Sequence, residues 1–434
     1  MSAARDPGLR ILLVSYFFPP TRDTGAQRPA ALAKYLARLG HRVTVLTTEA
    51  FGDGDGGHGG AEGLEGVNAI RARDLQSLRA RLSGHERIDS LFDSDTYSGR
   101  PHPLSYAVVP EPLRVAWAPF ARRAALAAHR REPFDVVLST SPPESAHLIG
   151  RALRRRGVPW VADIRDAWTF EPLRPRFPLT LQRRADERME RRVLGGADEV
   201  ICVSEPAAAD LRERAIADPA VIANAWDPDD DPGDGDREAA AGLLDPERTS
   251  LVYTGRFGSY GRDPAPFVAA LRKLAAERPE QAARLEVAIA GPLKTEEREL
   301  FSARLDPIEV SLLGSLERGT SLALQREADA LLLLAQPTRS QLVNFKLFEY
   351  LAAERPILAL CAGTEAGRIL SEAGAGPVVS AAEPAAIESA LEALLEAGLP
   401  SPPAGLTRRH RYPDTAQEVA NVLSGAAAGR VDDR

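Results

Sequence analysis

The chain has 434 residues, 44% of them hydrophobic and 26% charged, too long for one ordinary domain and apolar enough for folded cores, which excludes a mainly disordered protein. A net charge of −7 argues against a nucleic-acid partner. The charge is uneven, with residues 1–225 at net +4 and residues 226–434 at net −11, so only the first half suits an anionic surface.

Near the N-terminus Ile11–Phe18 is apolar but short, and Pro19-Pro20 follows without a small-residue cleavage site. It reads as a first buried strand and not as a signal peptide. Short apolar runs then alternate with helix-length segments, the pattern of α/β units around parallel sheets. The predicted strands are Arg10–Ser15, Arg42–Thr47, Phe134–Thr140, Pro159–Ile164 and Glu199–Ser204, then Leu251–Thr254, Leu285–Ala290, Glu309–Leu313, Ala330–Leu334 and Ile357–Leu360. Predicted helices Gly25–Leu39 and Pro143–Arg156 end at Gly40 and Gly157, natural C-terminal caps. Phe51–Gly66 holds eight glycines and reads as a surface loop. Asp227–Asp236 holds six aspartates among Pro228, Pro232, Gly233 and Gly235; this composition predicts a loop or linker between two α/β domains. A helical stretch is expected near Thr415–Leu423 before a polar tail. Both cysteines, Cys202 and Cys361, lie in apolar strand-like runs, so a disulfide framework is excluded and a reducing, cytosolic setting is expected. No run approaches the twenty or so apolar residues a membrane-spanning helix needs.

Ligands in such folds sit at the carboxyl ends of strands and in the cleft between domains, and four segments place chemistry-bearing residues at strand ends. The first βα turn carries Thr24-Gly25-Ala26-Gln27-Arg28 at the opening of a helix. A glycine there lets backbone N–H groups approach a pyrophosphate, or it serves the turn alone. Strand Leu251–Thr254 runs into Gly255-Arg256, with Arg262 six positions later. The two guanidiniums suit a diphosphate leaving group, against the alternative of two solvated surface arginines. The segment Gln341–Pro356 turns helical near Asn344, and Glu349 lies among apolar neighbours. Its carboxylate can accept both hydroxyls of a ribose or pair with Lys346 three positions earlier. Finally Ala162-Asp163-Ile164-Arg165-Asp166-Ala167-Trp168 ends a strand, either on a cleft rim or as a structural salt bridge. The D-x-D matches at Asp53, Asp93 and Asp234 lie in loop-like sequence and are set aside, the histidines lack ligand spacing, and no GxxxxGK[ST] loop occurs.

Together these segments resemble the retaining glycosyltransferases of family 4, closest to a bacterial branch with SYFFPP…GAQR, ADIRDAW and KLFEYLAA. The resemblance runs from ILLVSYFFPP to ILSEAGAG at 369–376. It implies the α/β GT-B fold: an acceptor-binding Rossmann-like domain at 1–225, a donor-binding one at 226–400, and at 401–434 a helix returning to the first domain before the tail. It implies transfer of a sugar from a nucleoside-diphosphate-sugar donor with retention, in cell-envelope polysaccharide or glycoconjugate synthesis, without a cofactor or a bound metal. By resemblance Arg256 and Arg262 grip the leaving diphosphate, and Thr24, Gly25, Gly255, Lys346 and Glu349 bind the donor. Gln341 orients the sugar, while Arg165, Asp166, Gln27 and Arg28 face a sugar, lipid-linked or other small acceptor. Two positions depart from the family pattern: Gln341 replaces the first Glu of its E-x7-E signature, and Arg262 replaces a Lys. A sugar-nucleotide epimerase of the same fold and a non-catalytic nucleotide-binding subunit are the competing readings. Arg174–Arg192, with seven Arg against three acids and Phe177, Leu179 and Leu181 between them, suits either an anionic membrane surface at the inner face of the plasma membrane or an ordinary solvated helix.

Overall fold

The computed structural model describes residues 8–21, 23–51, 64–75, 109–110, 114–170, 177–258, 262–302, 305–335, 343 and 345–429. Gln341 lies outside these residues, as do Asp53–Asp55, Asp93–Asp95, most of the Phe51–Gly66 stretch, and Arg174 and Arg176. The chain divides into two units, Met1–Ala223 with Tyr412–Arg434, and Asn224–Arg411.

The first unit is built on seven parallel strands: β1 (Arg10–Val14), β2 (Arg42–Thr48), β3 (Asn68–Ala72), β4 (Val136–Ser141), β5 (Trp160–Ile164), β6 (Glu199–Cys202) and β7 (Ala220–Val221). Their order is β3-β2-β1-β4-β5-β6-β7. Central strands such as ILLV of β1 and all of β4 and β5 are buried along their length, as a sheet covered on both faces requires. Gly40 and Gly157 take the left-handed conformation, at φ 95° and 92°, where their preceding helices stop. The core gathers Leu12, Val14, Ile149, Trp117, Trp160 and Trp168. The long final helix Tyr412–Ala428 packs on the helix Gln27–Arg38 and on β4 and β5.

The second unit repeats the plan with six parallel strands, β8 (Thr249–Thr254), β9 (Leu285–Ala290), β10 (Glu309–Gly314), β11 (Ala330–Leu334), β12 (Ile357–Leu360) and β13 (Val378–Val379). Their order is β10-β9-β8-β11-β12-β13. In each sheet the strand order reverses beside the first strand, between β1 and β4 and between β8 and β11. Open α/β sheets bind ligands at the carboxyl ends of strands flanking that reversal.

Three strands are absent from the sequence expectation, β3, β7 and β13, and each is an edge strand. Their residues are exposed or half-buried except Ala72, so no apolar run marks them. The aspartate-rich stretch needs correction. Expected as a loop or linker, it is a loop only to Gly233 and packs within the second unit: Asp234–Ala240 is a helix with two acids in its first turn, favourable to the helix dipole. Asp230 accepts from Arg318 at 2.6 Å, and Asp231 pairs with Arg326 and Arg237. Cys202 and Cys361 are both unpaired and buried, and burial pushes each thiol up to about 12. Among the described residues no helix is long and apolar enough to cross a membrane.

Candidate active site

At the β1–β4 reversal, β1 leads to a 3-10 turn, Thr24–Ala26, and then to the helix Gln27–Arg38. Asp23 caps the turn, its Oδ1 accepting from Gly25 N–H at 2.6 Å. Thr24 is exposed, and Gly25 and Gln27 are half-buried. Arg28 is elsewhere. It is 1% exposed, and its guanidinium donates to both Asp163 oxygens (3.1 and 2.9 Å) and to the carbonyls of Ile222 and Ala223 (3.1 and 3.0 Å). Asp163 also accepts from Thr140 Oγ1 at 2.7 Å. Burial would raise the Asp163 carboxyl, but Arg28 and the Thr140 hydroxyl outweigh it and hold it below the usual range. Arg28 therefore offers no surface to an acceptor; it ties the first helix to β5 and to the segment after β7.

Arg165 is likewise committed. Its Nε donates to Ser141 O at 2.7 Å, Nη2 to Pro142 O at 3.0 Å, and Nη1 to Gly25 O. It joins the Thr24–Ala26 turn to the end of β4, a scaffolding role that leaves its nitrogens on backbone carbonyls and not on an acceptor. Asp166 beside it is half-buried. Burial raises its carboxyl, partly offset by Arg165. Of the acceptor-side residues expected from sequence, Gln27 and Asp166 stay available, and Arg28 and Arg165 do not.

The β8–β11 reversal is built differently. Gly255 ends β8 at φ 104°, a conformation side chains rarely adopt, and Gly291 ends β9 so close that a Cβ there would stand 2.1 Å from Gly255 O. Bare backbone thus lines the floor of a cavity of about 210 Å³ bounded by Gly255, Gly291, Pro292, Ser315, Arg318 and Glu349, among others. After β11 comes the helix Phe345–Ala353, which carries Lys346 and Glu349. Glu349 lines that cavity, with its side chain 16% exposed, and its Oε1 accepts from Arg318 Nη1 at 2.7 Å. Burial would lower the Arg318 guanidinium, but Glu349 and Asp230 outweigh it and raise it. The expected alternative partner of Glu349, Lys346, makes no ion pair with it among the described residues. Instead the Lys346 nitrogen lies 3.7 Å from the centre of the Tyr253 ring, on a strand residue of β8. Arg256 is exposed, while half-buried Arg262 donates through Nη1 to the Arg256 carbonyl at 2.9 Å. The Tyr253 hydroxyl donates to the same carbonyl at 2.7 Å.

The structure thus brings Gly255, Arg256, Arg262, Lys346 and Glu349 to one strand end. Sequence reasoning missed Arg318, Asp230 and Tyr253. The one available signal for Arg318 was its place just beyond β10, since a strand end is where ligands are met. Among the described residues no cluster of three or more His, Cys, Asp or Glu is placed to hold a metal ion.

Residues 24–225 match the glycosyl transferase 4-like domain family. No curated protein sequence matches the chain. Solved structures similar to it include a sucrose-phosphate synthase from Thermosynechococcus elongatus, at 17% identity and a TM-score of 0.60, over 98% of each chain. An α,α-trehalose 6-phosphate synthase from Burkholderia multivorans has 15% identity and a TM-score of 0.64, over 98% of this chain and 99% of that one. WaaG, a glycosyltransferase involved in lipopolysaccharide biosynthesis, has 15% identity and a TM-score of 0.55, over 97% and 98%. At such identities the likeness is one of fold. The chain as a whole has the fold of the GT-B glycosyltransferases, and the family match is confined to residues 24–225.

Proposed function

We propose that the protein transfers a sugar from a nucleoside-diphosphate-sugar donor to an acceptor, with retention of anomeric configuration, in building a cell-envelope polysaccharide or glycoconjugate. One observation carries the reading: at the β8–β11 reversal, bare glycine backbone and the Glu349 carboxylate line one cavity, and the Lys346 amine stands behind Gly255. Glu349 gives Arg318 one oxygen, so Oε2 can accept from ribose hydroxyls. Arg256, Arg262 and Lys346 supply positive charge where the leaving diphosphate develops its own, the kind of term that usually dominates such catalysis. Gln341 is assigned to the sugar. In the first unit the turn Thr24-Gly25 is assigned an anion-facing role once Asp23 yields the Gly25 N–H, and Gln27 and Asp166 are assigned to the acceptor. No protein nucleophile and no bound metal enters this scheme.

Thermal stability in the presence of UDP, GDP, ADP and dTDP tests it. One nucleotide at about 100 times its dissociation constant should add about 2.7 kcal/mol, and Glu349→Ala should lose that gain. Arg256→Ala should cost on the order of 2–4 kcal/mol of barrier. A protein that no nucleotide stabilises, or an Arg256→Ala enzyme with unchanged turnover, refutes the assignment.

We further assign the helix Thr180–Leu194 to an anionic lipid surface, consistent with a cytoplasmic protein acting on a lipid-linked acceptor. The fold sorts its charges. Asp186 and Glu190 turn inward, to Trp168 Nε1 at 2.9 Å and to Thr169 and Arg214, while Arg184, Arg188, Arg191 and Arg192 are exposed with Glu187. Leu179 and Leu181, at the start of the helix, are 61% and 73% exposed. Each basic side chain near such a surface contributes about 1 kcal/mol. The protein should float with phosphatidylglycerol vesicles and not with phosphatidylcholine, and Arg184→Glu with Arg188→Glu should abolish flotation. Equal behaviour in both vesicle types ends the assignment.

A further inference from the structure

Lys346 is an isolated amine. Its Nζ is buried and, among the described residues, makes no hydrogen bond. Around it stand Tyr253 from β8, Arg262 from the segment beyond, and Glu349 and Tyr350 from its own helix. Glu297, on the helix Thr295–Ser302, acts on Tyr253 electrostatically, and the Arg256 carbonyl accepts from the Tyr253 hydroxyl. Glu349, the acid one turn along, has given its Oε1 to Arg318, which Asp230 holds in turn. Tyr350 is spent on the backbone N–H of Thr254 at 3.1 Å. Gly255 also faces Lys346: a Cβ there would stand 3.0 Å from Nζ. A hydrogen at that position keeps the approach clear.

We propose that Lys346 is uncharged in the empty site and becomes an ammonium ion when the donor's diphosphate arrives, so that donor binding takes up one proton from solvent. The inference rests on the donor reading given above. A buried charge with no acceptor is strongly disfavoured, and the face of Tyr253 compensates only in part. Burial, reinforced by Arg262 and opposed by Glu349, holds the amine well below the usual lysine range. A diphosphate reverses both conditions, since it brings acceptor oxygens and negative charge to the same face. In the balanced step a proton leaves water or a buffer acid for the Nζ lone pair. The nucleotide's terminal phosphate, which ionises near about 6, is already deprotonated at pH 8 and supplies none.

Calorimetric titration of UDP, GDP, ADP and dTDP at pH 8, in buffers of differing ionisation enthalpy, counts the proton. For the nucleotide that binds, wild type should show a net uptake of up to one proton, and its affinity should weaken by up to tenfold per pH unit as pH rises. Lys346→Met should bind more weakly with an uptake near zero. Lys346→Arg, charged at all accessible pH values, should also show none while keeping its positive charge. Wild-type binding without buffer dependence overturns the proposal, as does the same uptake in Lys346→Met or Lys346→Arg. If no nucleotide binds wild type, it is the donor reading that falls, and this inference falls with it.

Discussion

Replacing Arg28 by Met separates a scaffold arginine from an acceptor-facing one. Met keeps the stem and removes the guanidinium, which strips two charge-assisted hydrogen bonds from Asp163 and one each from the carbonyls of Ile222 and Ala223. Asp163 is 0% exposed, so among the described residues its carboxylate keeps Thr140 alone as hydrogen-bond partner. Removing one member of a buried pair costs about 3–5 kcal/mol, because the other charge is left uncompensated. That is a large part of the 5–15 kcal/mol a typical domain has in total. Arg28→Met with Asp163→Asn should cost little more than either change alone, a coupling of at least about 2 kcal/mol. The assay is urea unfolding followed by tryptophan fluorescence. Trp117, Trp160 and Trp168 are buried in the first unit and only Trp226 lies in the second, so the signal reports mainly the unit that holds the pair. A loss below about 1 kcal/mol for Arg28→Met, or simple additivity in the double variant, refutes the scaffold role.

Two further outcomes follow from local geometry. Gly255→Ala forces a side chain to φ 104° and places Cβ 3.0 Å from Lys346 Nζ. It should lower stability by about 1–2 kcal/mol and diminish the nucleotide-induced gain, both read from melting curves with and without nucleotide. His147 is buried, and burial, only partly opposed by Glu144 and Asp163, pushes its imidazole down to about 4. The unfolded chain takes up that proton as pH falls below about 6.5, while the folded chain resists until about 4, so stability drains away on acidification through that window. The loss amounts to about 3 kcal/mol. His147→Gln should flatten this part of the pH–stability curve, and a curve of unchanged slope counts against the buried neutral imidazole.

The central strands were legible because burial on both faces demands continuous apolar runs, and LEVAIA of β9 and ALLLL of β11 are such runs. Edge strands carry no such demand. Ala220–Val221 and Val378–Val379 are two residues each, held by pairing with β6 and β12 and not by any pattern of their own. The aspartates of 227–236 misled for a different reason. Arg237 pairs with Asp231 locally, but the cations that anchor the stretch to the rest of the unit, Arg318 and Arg326, lie 88 and 95 positions away along the chain, and composition within a window is blind to partners at that range.

A strand end identifies where a ligand would be met, but the same residue types serve scaffold and site alike, and burial with hydrogen-bond supply decides between them. Arg28 and Arg165 occupy the β1–β4 reversal as plausibly in sequence as Lys346 occupies the β8–β11 reversal. In the folded chain the first two have acceptors in abundance, from Asp163 and five backbone carbonyls. Lys346 has the face of a tyrosine and no hydrogen bond among the described residues. A cation already satisfied by its own protein gains little from an anionic ligand, because each new bond displaces an old one. A cation held without an acceptor gains the whole of it. By that reasoning, under the donor reading proposed above, a diphosphate should owe the greater share of its affinity to the second unit, although the first unit carries the more positive net charge.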